Sequence, residues 1–263
     1  MSGLFQERYE AGNSLVHHLD ARIKVVTAIL LIVGIVLTPS GAFPAYPLLW
    51  AVIGSLAVIG NIGAWRLARL AAVALPFTLA AATLLFTTPG QPVVALMGLW
   101  ITDAGVTRFL DIVIKSWLSV QVGLLLSITT PFTDLVWALS CLRVPNPLLA
   151  IIGFMYRYLF TLKEEAERML RARAARSGSI VGYKSGGGLL WRTRIAGGMV
   201  GSLFLRSYER SERVYAAMLA RGYSGQIKAR IAAPLSWRSI GLGAIPVLIF
   251  LAIQVMARQA WSG

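Results

Sequence analysis

The sequence predicts an all-α integral membrane protein, with about five transmembrane helices and a cytoplasmic block of one short and two long helices. Three observations predict this class. First, 57% of the 263 residues are hydrophobic and 14% are charged, whereas soluble domains have roughly 45–50% apolar and about 25% charged residues. Second, several long runs contain no charged residue. Third, most of the net charge of +14 lies in one segment of the second half of the chain.

High hydrophobicity together with excess positive charge excludes most soluble enzymes, disordered tails and small disulfide-stabilised domains. The single cysteine, Cys141, supports neither a disulfide framework nor a cysteine-based zinc site. A membrane enzyme would need a cluster of carboxylates or histidines at one membrane face, and the six acidic residues outside 143–230 do not supply one. We therefore expect no catalytic residue, no metal site and no cofactor in this chain.

Four uncharged runs are long enough for membrane helices: 41 residues after Lys24, 33 after Arg69, 18 after Lys115 and 19 after Arg238. A helix needs about 20 residues to cross a hydrocarbon core of roughly 30 Å, and continuous apolar runs favour helices over barrel strands. The longest run exceeds one span and is broken by the turn-forming segment 38–41, Thr-Pro-Ser-Gly. The predicted spans are 24–38, 45–62, 68–87, 107–130 and 238–257.

Two further features border these spans. Asp20 is a suitable N-cap residue for the first span. The third span ends at segment 88–92, Thr-Pro-Gly-Gln-Pro, and the apolar residues 93–101 that follow are too few to cross. We predict that 93–101 is an interfacial or re-entrant segment.

The distribution of charge predicts the orientation. Residues 143–230 hold 16 of the 25 basic and 5 of the 11 acidic residues, and therefore +11 of the net charge of +14. Because cytoplasmic loops are enriched in Lys and Arg, this segment is predicted to be cytoplasmic. Basic residues also precede the first and third spans, so the N-terminus is predicted to be cytoplasmic. The predicted regions are membrane helices in 1–130, a cytoplasmic block in 131–232 and the last membrane helix in 233–263.

The cytoplasmic block has recognisable helix boundaries. Thr133 or Asp134 can cap a short helix over 135–142. A long helix is predicted over 147–177, with Pro147 near its first position and Gly178 after its end. A second long helix is predicted over 189–221, ended by Gly222. In both long helices the first half is apolar and the second half is charged.

The two long helices end in similar sequences. Segments 167–177 and 212–222 share Glu, Arg, Ala, Ala and Arg at five of eleven aligned positions, and both finish with Ala-Arg and a small residue. A purely structural explanation of this repeat is that an Arg near a helix C-terminus interacts favourably with the helix dipole. That explanation does not account for the surrounding alanines, whose small side chains would allow the helix end to enter a groove on a partner protein. Arg is well suited to bidentate pairing with a carboxylate across an interface.

These ends resemble those of the transmembrane coupling (T) subunit of energy-coupling factor (ECF) transporters. Segments 169–177 and 217–223 are similar to the cobalt-type T subunits of the CbiQ family. The resemblance covers nearly the whole chain, including Leu19-Asp20-Ala21-Arg22, where Ala21 replaces the Pro common in the family. It implies a subunit of the bacterial inner membrane that carries no enzymatic activity of its own.

The resemblance also implies a set of partners. Two cytoplasmic ATPase subunits hydrolyse ATP, a separate cobalt-type membrane subunit binds the substrate, and the T subunit couples them through its two long coupling helices. Cobalt is the expected substrate, and nickel or a vitamin such as biotin is the alternative. Each coupling-helix end is expected to dock on one ATPase. The docking residues implied are Ala175, Arg176 and Ser177 for one ATPase and Ala220, Arg221 and Gly222 for the other.

Several other patterns were weighed against this interpretation. Segment 178–185 superficially resembles a phosphate-binding loop, but Tyr183 stands where Gly should precede the Lys, and no strand precedes it. His17-His18 could ligate cobalt or nickel, but a solvated or interfacial pair is preferred.

Basic helices beneath a membrane attract anionic lipid, so membrane lipid is an expected partner, and no nucleic-acid recognition module is present. A stand-alone channel or secondary transporter would need polar residues at the bilayer midplane or an inverted repeat.

One ionisable cluster lies within a predicted span. Arg108, Asp111 and Lys115 follow a helical spacing near the start of the fourth span. Asp111 is predicted to pair with both cations on one helix face. A structural ion-pair cluster is preferred over a transport pathway, although ionisable residues in membranes are often functional.

Overall fold

A computed structural model describes residues 12, 14–89, 92–96, 99–176, 188–224 and 236–261. The described chain is helical apart from one short hairpin, in agreement with the predicted all-α membrane class. It divides into two compact units, 1–142 with 231–263, and 143–230. The first unit contains helices α1 (Leu15–His18), α2 (Ala21–Val36), α3 (Ala45–Ile59), α4 (Ala64–Ala71), α5 (Leu75–Thr78), α6 (Leu84–Thr87), α7 (Asp103–Thr129), α8 (Phe132–Cys141) and α11 (Trp237–Trp261), and the second contains α9 (Asn146–Arg176) and α10 (Leu189–Ala220).

The core of the first unit is formed by α2, α3, α7 and α11. Leu31, Leu49, Ile53 and Leu118 are almost completely buried there. Close helix approach depends on small residues, because a Cβ on Gly34 would collide with the ring of Phe250 on α11. Small residues at such crossings are typical of helices packed in membranes, where van der Waals contact stabilises association.

The start of α2 is held by the polar residues that precede it. The Asp20 side chain accepts a hydrogen bond from the Arg22 backbone N–H at 2.9 Å, which confirms the predicted N-cap. The Lys24 ammonium donates to the carbonyls of His17 and Thr129, each at 3.0 Å. Lys24 therefore ties α2 to the end of α7, where unpaired carbonyls need donors.

Two helices of the described chain are long and apolar enough to cross a membrane, Asp103–Thr129 and Trp237–Gln259, and they correspond to the fourth and fifth predicted spans. The second predicted span is shorter than expected: α3 ends at Ile59, and the chain bends by 116° into 64–74. Asn61 and Gly63 adopt positive φ angles at this bend. Together these two segments pass the same length and composition test, so the described residues contain two candidate spans or up to three, and not the five predicted.

The first and third predicted spans do not form single helices long enough to cross a membrane. Helix α2 has 16 residues, a length of about 24 Å against a hydrocarbon core of roughly 30 Å. The region 68–87 is broken into α4, the 3-10 helix Ala72–Ala74, α5, the 3-10 helix Leu79–Thr83 and α6. Pro76 lies in this broken region and lacks the N–H that a continuous helix would need. Counting apolar residues detected the hydrophobic segments but not the breaks within them.

The apolar segment after the third predicted span is a β-hairpin. Strands β1 (Pro92–Leu96) and β2 (Leu99–Thr102) pair antiparallel, with Leu96 opposite Leu99. The chain reverses within a few residues, so this segment does not cross a membrane. Thr102 then caps α7 by accepting a hydrogen bond from the Gly105 N–H at 3.1 Å.

The boundaries of the two long helices agree with the sequence prediction to within about one residue. Helix α9 has 31 residues and α10 has 32. The segment 178–187, which includes the loop resembling a phosphate-binding motif, lies outside the described residues. The short helix α8 packs on α2 and belongs to the first unit, whereas its sequence position beside the long helices predicted that it belongs with them.

Candidate functional site

The end of α9 presents two of the three predicted docking residues to the surface. Ala175 and Arg176 are the last two residues of α9, and both are exposed. Ser177, the third, lies outside the described residues. Because alanine carries one methyl group, Arg176 is the only long side chain among the last three residues of α9. This is a suitable shape for insertion into a groove on a partner.

The end of α10 presents the second predicted set, and its geometry explains the glycine. Ala220, Arg221 and Gly222 are all exposed. Gly222 has φ +79°, its N–H donates to the Leu219 carbonyl at 2.9 Å, and the Tyr223 N–H donates to the Met218 carbonyl at 3.0 Å. This is the Schellman arrangement, in which a left-handed residue satisfies the last carbonyls of the helix. Gly222 therefore ends α10 directly after Arg221 and leaves that arginine at the tip.

The two ends differ in the ion pairs behind them. Arg213 on α10 approaches Glu209 at 3.9 Å, one helical turn away. The aligned residue on α9, Arg168, instead contacts Glu165 at 3.0 Å. Ion pairs that reach solvent contribute little to stability, because water screens the charges and the long side chains lose conformational freedom. The repeat is therefore a similarity of sequence and helix end, and the side-chain pairing behind each end is different.

An ion pair joins the two long helices near their midpoints. Arg206 on α10 donates a hydrogen bond from Nη1 to Oε1 of Glu165 on α9 at 2.5 Å. Glu165 thus holds Arg206 and Arg168 with one carboxylate. The hydrogen bond from Arg206, together with the nearby arginine charges, lowers the pKa of the Glu165 carboxyl below its ordinary value. This pair was not predicted from the sequence, because Glu164 matches Glu209 in the repeat whereas Glu165 has no acidic counterpart there.

The helices run in opposite directions past this crossing. The first half of α9 lies beside the second half of α10, and the second half of α9 lies beside the first half of α10. Arg176 is 11 residues beyond Glu165 and Arg221 is 15 residues beyond Arg206, or about 16 Å and about 22 Å along each helix. The two arginine-tipped ends consequently lie on opposite sides of the crossing.

Each side of the crossing contains a cleft. The apolar cleft, about 550 Å³, lies between the first half of α9 and the second half of α10 and is lined by residues such as Phe154, Tyr158 and Met218. The basic cleft, about 940 Å³, lies on the other side. Its charged lining residues are Glu165, Arg168, Arg173, Arg176, Arg192 and Arg206.

The ionisable cluster on α7 has partners that the sequence did not indicate. Asp111 is only 3% exposed, and it accepts hydrogen bonds from the Tyr46 hydroxyl at 2.7 Å and from the Gly41 N–H at 3.2 Å. Lys115 donates to the Thr38 carbonyl at 2.7 Å. The predicted pairing of Asp111 with Arg108 and Lys115 is therefore wrong. Both side chains instead hold the turn between α2 and α3, whose backbone groups need partners once buried.

The histidine pair lies at the start of the chain. His17 and His18 are the last residues of the short helix α1, and Nδ1 of His17 is 2.6 Å from the Ser14 hydroxyl. Among the described residues, no group of three or more His, Cys, Asp or Glu side chains is placed to hold a metal ion.

Comparison with known proteins identifies the family to which this chain belongs. The sequence profile of the CbiQ family, described as cobalt transport protein, matches residues 12–231, which is most of the chain. The chain belongs to the CbiQ family. Its relatives include the energy-coupling factor transporter transmembrane protein EcfT of Staphylococcus aureus, which is 27% identical over 257 residues, 94% of this chain and 93% of that protein.

Two further relatives are named for metals. The cobalt transport protein CbiQ of Rhodobacter capsulatus is 32% identical over 103 residues, 39% of each chain. The nickel permease LarQ of Lactiplantibacillus plantarum is 28% identical over 135 residues, 51% of this chain and 46% of that protein. This CbiQ family member is accordingly identified with the transmembrane T subunits of ECF transporters, as its sequence predicted.

Proposed function

We propose that this CbiQ family member is the energy-coupling subunit of an ATP-driven cobalt importer. It links two cytoplasmic ATPase subunits to a separate membrane subunit that binds the substrate. The observation that carries the proposal is the pair of exposed helix tips on opposite sides of one crossing, each ending in Ala-Arg. Two similar contacts on a single chain suit two copies of a symmetric motor.

The docking residues follow from this arrangement. Ala175, Arg176 and Ser177 engage one ATPase, and Ala220, Arg221 and Gly222 engage the other. Each arginine pairs with a carboxylate in an ATPase groove, and the neighbouring alanines allow the helix tip to enter. Arginine suits this role because its planar guanidinium makes two parallel hydrogen bonds to a carboxylate.

The crossed helices provide a route for transmission. Closure of the ATPase pair draws the two tips toward each other, and long helices joined near their midpoints convert that movement into a change of crossing angle. The apolar first halves, around 151–162 and 195–205, contact the substrate-binding subunit and reposition it. In this account 1–130 and 233–263 supply the membrane helices, while the N-terminus and 131–232 are cytoplasmic, as the basic residues favour.

Cobalt is the proposed substrate because the matching family profile is described as cobalt transport protein. Nickel is the second candidate, and the relationship to LarQ, a protein named as a nickel permease, favours it over a vitamin. ATP hydrolysis takes place in the partner ATPases.

Reconstitution tests the assembly and the substrate together. The chain is produced with an ATPase and a metal-type substrate subunit from its own genome, purified, and examined by native mass spectrometry and in proteoliposomes. The proposal predicts one copy of this chain with two ATPase copies, and ATP-dependent uptake of Co²⁺ in preference to Ni²⁺. Preferential uptake of Ni²⁺ would show that nickel, and not cobalt, is the substrate. A purified complex that contains no ATPase would contradict the coupling role.

A further inference from the structure

The apolar cleft contains one arginine in its lining. Its walls are formed by residues such as Phe154, Tyr158 and Met218. Among the described residues that line the cleft, Arg210 of α10 is the only charged one, and it is half-buried. A guanidinium in apolar surroundings loses hydration, and an anionic partner is needed to offset that loss. A partner that fills this cleft should therefore be largely apolar and carry a single anionic group.

No carboxylate of the described chain pairs directly with Arg210. The side chain forms no hydrogen bond or ion pair with the residues that the structure describes. Its charge does act on Glu165, but the two oxygens of that carboxylate already contact other arginines, Arg206 and Arg168. The positive charge of Arg210 is therefore available to a carboxylate from another subunit.

The surface beside the cleft has the spacing of a helix-packing face. On α9, exposed apolar side chains recur at intervals of three or four residues, at Leu148, Ile151, Met155 and Leu159, and are 37–63% exposed. This spacing places them on one face of α9, and the segment extends about 16 Å. Ile151 also lines the cleft, so the exposed face borders it. An apolar face with this periodicity fits a second helix, whose side chains recur at the same intervals.

We infer that the apolar cleft receives a helix of the substrate-binding subunit, and that Arg210 pairs with one carboxylate on that helix. The inference rests on the proposed function, in which 151–162 contacts that subunit, and it adds the residue that makes the contact selective. Arginine pairs with a carboxylate through two parallel hydrogen bonds, which fix orientation as well as contributing energy. An apolar face alone accepts many membrane helices, whereas a buried charge left unpaired disfavours a helix without the carboxylate.

Co-purification of the complete transporter tests the inference. The tagged chain is produced with its ATPases and a metal-type substrate subunit from its own genome, and the recovery of each partner is measured. We expect Arg210→Glu to lower recovery of the substrate subunit by more than about tenfold, because two carboxylates would face each other. The ATPases should stay bound. Arg210→Leu should also lower recovery of the substrate subunit, although it makes the cleft more apolar. Unchanged or higher recovery with Arg210→Leu would overturn the ion pair.

A matched control separates the cleft from general surface charge. Arg213→Glu reverses an arginine of the same helix at an exposed position outside the cleft, where it pairs with Glu209. This variant should recover the substrate subunit within about twofold of the wild type, because water and salt screen exposed charges. Equal losses in Arg210→Glu and Arg213→Glu would overturn the inference. If Arg210→Glu loses both partners, Arg210→Gln decides instead, since it removes the charge without adding a negative one.

Charge reversal on the partner identifies the carboxylate. Each Asp and Glu of the substrate subunit is changed to Arg in turn, and one of these changes should restore binding to the Arg210→Glu chain. Failure of every change to restore binding would overturn the ion pair.

The remaining outcomes assign the cleft to something else. Loss of the ATPases alone from Arg210→Glu would make the cleft an ATPase contact. A fatty acid or phospholipid that native mass spectrometry detects on the wild-type chain but not on Arg210→Glu, with unchanged recovery of the substrate subunit, would show that an amphiphile fills it. Either result would overturn the inference and leave the proposed function standing. A wild-type complex that contains ATPases but no substrate subunit would contradict the proposed function itself, and the inference with it.

Discussion

Arg206 of α10 and Glu165 of α9 form a hydrogen-bonded ion pair, 2.5 Å between Nη1 and Oε1, across the crossing of the two long helices. The residues are 41 positions apart. Clefts of about 940 and 550 Å³ lie between the helices on either side of this ion pair. We therefore expect the angle between the arginine-tipped ends to depend on this pair of charged side chains.

Removal of the Glu165 charge should make the crossing angle between α9 and α10 more variable. In a Cys141→Ser background, spin labels at Leu170 and Leu219 report the distance between the two helices by pulsed electron paramagnetic resonance. Glu165→Gln should broaden the distance distribution, because the neutral amide cannot form a charged pair with Arg206. Glu209→Gln is the matched control, since Glu209 pairs with Arg213 on its own helix. Equal broadening in both variants would show that the crossing does not depend on the interhelical pair.

The same measurement should depend on pH in one direction. The hydrogen bond from Arg206 lowers the pKa of Glu165, and a carboxyl whose pKa is lowered on folding stabilises the folded form above its unfolded pKa of about 4.3. This stabilisation is lost as the pH falls through the lower, folded value. We expect the distribution to be unchanged at neutral and mildly acidic pH and to broaden only below the ordinary pKa of a glutamate carboxyl. Broadening near pH 6 would indicate that a different group controls the crossing.

Gly222 should be needed for its backbone conformation and not for a contact of its own. A Cβ at this position would meet nothing within 4 Å, but φ is +79°. Gly222→Ala should therefore destabilise the last turn of α10 by about 1 kcal/mol, seen as faster amide hydrogen exchange at Leu219 and Ala220. Gly201→Ala, in the interior of α10 and also without a close neighbour, should instead slow exchange, because alanine favours helix by about 1 kcal/mol. A slower exchange in Gly222→Ala would contradict the Schellman assignment.

The helix ends were predictable because their signals are local. The bounds of α9 and α10 were predicted to within about one residue. The prediction used the proline at a first helical position, the glycine after the last turn and the change from apolar to charged residues. The docking tips were found in the same way, as a repeat at constant spacing. Their exposure agrees with the prediction, and their engagement of ATPases remains a proposal.

The features that were missed depend on distant parts of the chain. An uncharged run reveals hydrophobicity but not the bend after Ile59 or the short 3-10 segments around Pro76. Five spans were therefore predicted, whereas the part of the chain that the structure describes contains two candidates, or three if the bent pair is one span. Asp111 was assigned partners on its own helix, because those are visible in the sequence. Its actual partners, Tyr46 and Gly41, lie about 65 and 70 residues away.

Asp111 should matter for stability of the membrane unit. It is buried and accepts hydrogen bonds from Tyr46 and from Gly41. Asp111→Asn replaces one acceptor oxygen by an NH₂ group, which meets the Gly41 N–H donor when the carbonyl oxygen accepts from Tyr46, at a cost of about 1–3 kcal/mol. Thermal unfolding in detergent should show a lower midpoint, and Tyr46→Phe should produce a smaller change. Asp103→Asn, at an exposed position of the same helix, is the control.

Ion preference distinguishes this structural role from a place in a transport pathway. Asp111→Asn should reduce the amount of assembled transporter and leave the ratio of Co²⁺ to Ni²⁺ uptake unchanged. A normal quantity of complex with an altered ratio would contradict the structural role.

The central claim is that two arginine-tipped helix ends each bind one ATPase, and co-purification tests it most directly. Arg176→Glu and Arg221→Glu should each weaken ATPase association by about 2 kcal/mol, or about 30-fold, because charge reversal opposes pairing with a carboxylate. The double variant should recover no ATPase and support no uptake, while Arg171→Glu/Arg213→Glu, equal in charge and on the same helices, should retain both. Normal recovery of the ATPases with the Arg176→Glu/Arg221→Glu variant would contradict the account.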